Sequence, residues 1–253
     1  MKGGRVEGAW YAQSGSKIRE FCTILHPPYT SMVLSYVLIG AALSPALFVD
    51  RLALTLLAYF LGLGISAHAL NELNARHWGT TLDKKDLEVA FLLSMMTALS
   101  IGVYGVCSLY VVSNGNLVPP SILLVFIVLE TFFLFAYNTN YSNGKFHGDI
   151  SFAFSWGVLP FLTSYYVNSL TIPAGIFLIG LALAATAMIE INLSRWCKDF
   201  RRRSNVKEIR FDDNTSLHSS TERLISDPEK ALKLIVITVD LLGIGLMIRR
   251  LVG

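Results

Sequence analysis

Charge is what this chain has least of. Of its 253 residues only 15% are Asp, Glu, Lys or Arg, while 53% are hydrophobic, and the mean hydropathy is +0.52. A water-soluble domain carries about 25% charged residues, so a soluble enzyme and a nucleic-acid-binding domain are both poor descriptions. Cysteine is scarce too. The three residues, Cys22, Cys107 and Cys197, are odd in number and far apart, and they show no metal-ligand spacing. A disulfide scaffold is excluded and free thiols are expected. Residues 1–28 are polar and mixed and lack the organisation of a secretory leader, so the first apolar run is expected to stay in place as a spanning helix.

What the chain does have is long apolar runs. They cover 29–48, 52–70, 89–112, 118–137, 151–167, 172–194 and 231–248. A hydrocarbon layer of roughly 30 Å asks for about 17 to 25 such residues in a helix. The expected fold is therefore all-α, a polytopic transmembrane helix bundle of about seven spans, with a short N-terminal segment at 1–28 ahead of a transmembrane domain at 29–253. The connectors alternate. Those after the first, third and fifth runs are short and nearly uncharged, whereas 71–88, 138–150 and 195–230 are long and polar. Within the last of these, 198–230 reads as a mobile loop, polar and rich in turn-forming residues.

With seven spans, the N-terminal segment and the three long connectors share one side. Of the 21 Lys and Arg residues, all but Arg51, Lys233, Arg249 and Arg250 fall there. Positive charge is retained in the cytoplasm, so this side is expected to be cytoplasmic. Arg249 and Arg250 oppose that arrangement. The last run, short and carrying Asp240, is left open as a tilted or re-entrant segment. Lys198, Arg201, Arg202 and Arg203 follow directly on the sixth span, where they suit either anionic headgroups or plain topological retention.

Ionisable side chains in or at the ends of spans are costly and mark functional candidates. The second span ends His68-Ala-Leu-Asn71-Glu72-Leu-Asn74-Ala-Arg76, which puts His68, Asn71 and Glu72 on one helical face. The sixth ends Glu190-Ile-Asn192-Leu-Ser194-Arg195, a near repeat of the same pattern. Two carboxylates and two amides at neighbouring helix C-termini suit a divalent cation, since hard oxygen ligands favour Mg²⁺. The plainer explanation is that Glu–Arg pairs and Asn caps merely finish two helices. After the fourth span comes Tyr137-Asn138-Thr139-Asn140-Tyr141-Ser142-Asn143-Gly144-Lys145-Phe146-His147-Gly148-Asp149, a turn-rich loop in which Lys145 and His147 are placed to meet phosphate oxygens or simply face solvent. Asp83 and Asp86 read as surface residues. Glu130 and Asp240, each alone in its span, read as satisfied helix–helix contacts. Aromatic residues such as Phe132, Phe152, Trp156 and Tyr165 crowd the spans; most are expected to pack, some to line a prenyl-sized tunnel.

Several of these features resemble the UbiA-type intramembrane prenyltransferase superfamily. His26-Pro27-Pro28-Tyr29-Thr30 leading to Gly40-Ala41-Ala42 is similar to the family's Arg-Pro-Pro start. Asn71-Glu72 stands where the family has Asn-Asp-x-x-Asp-x-x-x-Asp, the end of span six where it has a second Asp-rich motif, and Trp156-Gly157 with Pro160 resembles its fifth helix. The resemblance covers about residues 17–200. The chain departs from the family in being acid-poor: Ala75 and Gly79 replace two acids of the first motif, and Ser194 one of the second. The family usually has nine spans.

The resemblance implies an integral membrane prenyltransferase-like protein. It would transfer an isoprenyl group from an isoprenyl diphosphate to a lipid or aromatic acceptor embedded in the membrane. Glu72 and Glu190 are the candidate metal ligands, for a single Mg²⁺ ion rather than two. Lys145 and Arg76 are candidates for the phosphate, and Asn71 for orienting it, with Asn74, Tyr137, Asn138, His147, Asn192 and Arg195 completing the substrate-binding set. His68 or Asp149 would take the acceptor's proton. The acid-poor motifs equally fit a non-catalytic lipid- or quinone-binding protein on the same scaffold. Oligomeric state is not legible. If the two Glu–Asn–Arg endings form one site, spans two and six are expected to pack with those ends together, the 138–149 loop closing over them.

Overall fold

The fold is taken from a computed structural model, which describes residues 9–13, 15–75, 80–139, 141–203, 208–210, 212, 216–218 and 220–253. Helix α1, Lys17–Ile24, starts where the Ser16 side chain accepts from the Arg19 backbone N–H. Helix α2, Pro27–Leu43, has its two prolines in the first turn, where a missing N–H costs nothing. Helix α3, Val49–Tyr59, runs through a π-helical stretch, Phe60–Ala67, into α4, His68–Ala75. Helices α5, Lys84–Val112, and α6, Val118–Asn138, follow. A turn, α7, Tyr141–Gly144, then leads to α8, Asp149–Ala153, a second π-helical stretch, Phe154–Val158, and α9, Leu159–Ser169. Helix α10, Ala174–Arg203, precedes two short antiparallel strands, β1, Glu208–Arg210, and β2, Ser216–His218, and α11, Thr221–Val252, ends the chain.

Six of the described helical segments are long and apolar enough to cross a membrane, and Pro27–Leu43 is a shorter apolar helix beside them. The outward faces of α5 and α6 carry exposed Leu92, Leu93, Met96, Val103, Val125 and Val128, an apolar surface suited to lipid and unsuited to water. The expectation of a polytopic helix bundle and an integral membrane protein holds at this level.

Helix α2 is the centre of the bundle, packed between α9 and α11 and against α3. Close approach there depends on small residues, as is usual between helices in lipid. A Cβ on Gly40 would collide with the Phe161 carbonyl of α9, and one on Gly157 would come within 2.9 Å of the Ala184 Cα of α10. The N-terminal segment is not a loose strip. Buried Glu20 accepts from the Thr81 backbone N–H at 2.7 Å and from its hydroxyl at 2.9 Å, tying α1 to the start of α5. Lys17 reaches both Asp83 and Asp86 at 2.8 Å, and these two carboxylates hold its ammonium pKa above the usual lysine value. The exposure expected of Asp83 and Asp86 is found.

One expectation about the C-terminal part needs correcting. The stretch 198–230 is not one long loop: α10 continues to Arg203, and α11 already begins at Thr221. Polar composition concealed helix here because the extensions pair with each other, Arg201 with Glu229 at 2.8 Å, and because Ser220 caps α11 by accepting from the Arg223 N–H. The last run, left open as tilted or re-entrant, lies within one continuous helix long and apolar enough to span. Helix α11 is 32 residues long, and Arg250 near its end donates to the Pro45 carbonyl at 2.6 Å, in the connector after α2. It runs the length of the bundle.

Candidate functional site

The polar end of the bundle is assembled by α2, α4, α8 and α10. Proline at the first turn of α2 stops the helix from extending backward, so His26 takes the N-cap position with φ 46°, an uncommon backbone state for a non-glycine residue. That turn swings its imidazole inward. Its Nδ1 lies 2.6 Å from the Tyr11 hydroxyl, and its ring stands 4.4 Å from that of His68 at the head of α4. The His68 ring then meets Trp156 at 5.1 Å. His68 is buried, and its Nε2 has no hydrogen-bond partner among the described residues.

Trp156 belongs to an aromatic wall. It stacks on Phe152 at 5.2 Å with the planes 11° apart, and Tyr29 meets both edge-on, at 6.3 Å and 5.9 Å. Both π-helical stretches end at this place: one runs directly into His68, and the other contains Trp156. Such stretches are frequent at functional sites. Lys198 of α10 holds its ammonium 5.6 Å from the centre of the Tyr29 ring, within the range of a cation–π contact. It is an electrostatic neighbour of both His68 and Glu190.

Arg195, one turn before Lys198, pairs with Asp149 at the start of α8 and reaches the Tyr137 hydroxyl at 3.4 Å. Tyr137 stacks on His147 at 4.3 Å, and the His147 Nδ1 lies 2.8 Å from the Tyr137 carbonyl oxygen. Between them the chain turns through Ser142, Asn143 and Gly144, all with positive φ, a strained run of the kind that clusters at working sites.

The structure thus brings His68, Tyr137, His147, Asp149 and Arg195 around one aromatic wall. It does not bring the others there. Glu72 is buried and accepts from the Thr80 hydroxyl at 3.2 Å. Asn74 donates to the Asn138 carbonyl at 2.8 Å, and Asn138 in turn to that of Leu134 at 2.7 Å. Asn192 is exposed and donates back to the Met188 carbonyl of its own helix at 2.8 Å. Asn71 is half-buried, Lys145 exposed. Arg76 lies outside the described residues.

The expected direct packing of spans two and six is not what the structure has. Helix α4 lies on α5, and α10 lies on α11, α8 and the second π-helical stretch. The intervening element is the aromatic wall itself, whose residues the sequence leaves divided between packing and a tunnel lining. Glu190 is buried, and its Oε1 has no hydrogen-bond partner among the described residues; its electrostatic neighbours are Lys198 and Asp240. Among the described residues no three His, Cys, Asp or Glu side chains gather as a metal set. That donor set does not fit a protein-built metal cluster.

Sequence reasoning named His26 and Tyr29 in the Pro-Pro motif and Lys198 in a basic run, but gave none of them a place in the site. The signal for the first two was present: Pro27-Pro28 fixes the helix start and hence what precedes it. Lys198 looked like one more charge in a basic run. Compared with known proteins, the chain matches no family model, no curated protein and no solved structure.

Proposed function

We propose that this protein is an intramembrane prenyltransferase-like enzyme. It would take an isoprenyl diphosphate with its head at the polar end of the bundle and hand the isoprenyl group to a lipid or aromatic acceptor. One observation carries this reading. Around the wall of Tyr29, Phe152 and Trp156 stand Lys198, Arg195 and the buried Nε2 of His68, which has no hydrogen-bond partner among the described residues.

Each part has a task. The allylic C–O bond breaks with its electron pair going to the diphosphate, and Lys198 and Arg195 stabilise the charge that develops there. Ring faces favour a cation, so the wall holds the allylic carbon while the acceptor's oxygen or carbon attacks it. His68 Nε2 takes the acceptor's proton. Asp149, already paired with Arg195, positions that guanidinium rather than acting as base. A single Mg²⁺ would be held by Glu190 together with diphosphate oxygens, the usual way this ion is shared between protein and phosphate, and would add to the neutralising charge. The basic bias of the long connectors supports a cytoplasmic location for this end.

The test is turnover of a radiolabelled isoprenyl diphosphate by purified protein across a panel of quinone-precursor and lipid acceptors, with and without Mg²⁺. Transfer that disappears in His68→Phe supports the reading. No transfer to any acceptor, together with diphosphate binding unaffected by Lys198→Ala and Arg195→Ala, overturns it.

A second reading is favoured by the acid-poor endings of spans two and six, with Ala75, Gly79 and Ser194 where acids would stand: a lipid or quinone binder that performs no transfer. Native mass spectrometry separates the two, because a copurified neutral lipid without diphosphate affinity is expected only of the binder.

A further inference from the structure

Away from the polar end, a cavity of about 150 Å³ lies between α3, the first π-helical stretch, α5, α6 and α9. Its walls are apolar and include Leu63, Ala98, Leu99 and Ile127, and it extends toward Asp50 and Arg51. Glu130, at mid-helix in α6, is also in that lining. The sequence suggested a satisfied helix contact there. Instead, both carboxylate oxygens are shielded from solvent and have no hydrogen-bond partner among the described residues. The neighbouring Tyr59 hydroxyl donates to Thr163 at 2.9 Å, and Arg51 is engaged with the Val167 carbonyl at 2.6 Å.

A buried polar group without a partner is expensive, and ionisable residues inside spans are retained for use. Apart from the Tyr59 hydroxyl, which interacts with the carboxylate but donates to Thr163, these oxygens meet no hydrogen-bond donor among the described residues. What the walls accept is hydrocarbon. An engineered cavity of similar volume takes up a benzene ring, so this one has room for a polar head and the first few carbons of a chain, the remainder lying in the lipid. We propose that the cavity binds the head of a single-chain amphiphile carrying a hydrogen-bond donor, a hydroxyl or an ammonium, with Glu130 as its acceptor. This site is separate from the transfer reaction proposed above and stands or falls without it.

The experiment uses the full chain in lipid nanodiscs, with tritiated dodecanol and dodecylamine as probes and dodecane as competitor. Glu130→Leu removes both acceptor oxygens, and Ala98→Phe fills the cavity without touching the carboxylate. At least one probe is expected to bind saturably, one per chain, and to lose about tenfold or more in affinity in either variant, the equivalent of one good hydrogen bond. Binding of dodecanol alone assigns a hydroxyl head, and binding of dodecylamine alone an ammonium. Dicyclohexylcarbodiimide, which reacts with carboxyl groups reached through lipid, is expected to modify Glu130 and to be slowed by the bound probe. Equal affinity in all three proteins, equal competition by dodecane, no saturable binding of either probe, or no modification of Glu130 would overturn the proposal. Retained thermal unfolding of Glu130→Leu shows that the bundle is intact, so the result holds even where Ala98→Phe fails to fold.

Discussion

His68 and Trp156 face each other with ring centroids 5.1 Å apart, one at the head of α4 and the other inside the second π-helical stretch. Helix α4 packs chiefly on α5, and α10 on α11, α8 and the second π-helical stretch, so this contact is one link between the segment bearing His68 and the segment that α10 lies against. The aromatic wall is thus a structural tie as well as the surface at which substrate binding is proposed.

Replacing His68 separates those two roles. His68→Phe keeps a flat ring against Trp156 but removes Nε2. Thermal unfolding in detergent is expected to change little, while isoprenyl transfer falls about 10²- to 10⁴-fold, the range for a lost general base. Unchanged transfer in this variant would assign the proton to another group.

Arg195 and Asp149 make a pair with side chains only 36% and 30% exposed. A partly solvated ion pair contributes about 0.2–1 kcal/mol, so Arg195→Ala should barely alter the unfolding temperature. Isoprenyl diphosphate affinity, measured by isothermal titration, should nonetheless drop about tenfold, since a charge-assisted bond is among the stronger polar contacts. A large stability loss with unchanged affinity would make Arg195 structural.

Gly40 tests the centre of the bundle. Its absent Cβ is what lets α2 approach the Phe161 carbonyl. Gly40→Val is expected to cost about 1–3 kcal/mol through overpacking, visible as a lower unfolding temperature. Gly175→Ala, where nothing lies within 4 Å of the added carbon, is expected to be neutral.

The orientation can be read chemically. In a background without Cys22, Cys107 and Cys197, a cysteine placed by Lys145→Cys should react with a membrane-impermeant maleimide only in inside-out vesicles. One placed by Asn116→Cys should react only in right-side-out vesicles. The reverse pattern would contradict the charge-bias argument.

Much of the architecture was legible because hydropathy and helix length are coupled by the bilayer. The apolar runs at 89–112 and 118–137 fall within α5 and α6, whose ends sit at Asp83 and at a turn beginning with Ser113. Where helix stability comes from partners rather than from apolar composition, the pattern was silent. Arg201 and Glu229 hold together the polar ends of α10 and α11, and no local periodicity announces that. The candidate site divides in the same way. His68, Tyr137, His147, Asp149 and Arg195 were found because polar residues at span ends are conspicuous. Lys198 and Tyr29 were hidden, one in a basic run and the other in an apolar one. Glu130 was conspicuous but misjudged, since a sequence records a carboxyl group without recording whether anything meets it.

The π-helical stretches add a constraint of a different sort. An α-helix turns about 100° for each residue, and a π turn accommodates one residue more. Phe60–Ala67 therefore acts as a phase setting for everything after it in the same rod. Winding the same residues as regular α-helix would leave the span as greasy as lipid requires and slightly longer. It would turn His68 and Glu72 by roughly a quarter of a turn or more, carrying the imidazole off Trp156 and the carboxylate off Thr80, and only the removal of about one residue would bring them back. The bilayer tolerates such a change, and the aromatic wall does not. Length in this part of the chain is thus fixed to the single residue by angle, although the membrane specifies it only to within several.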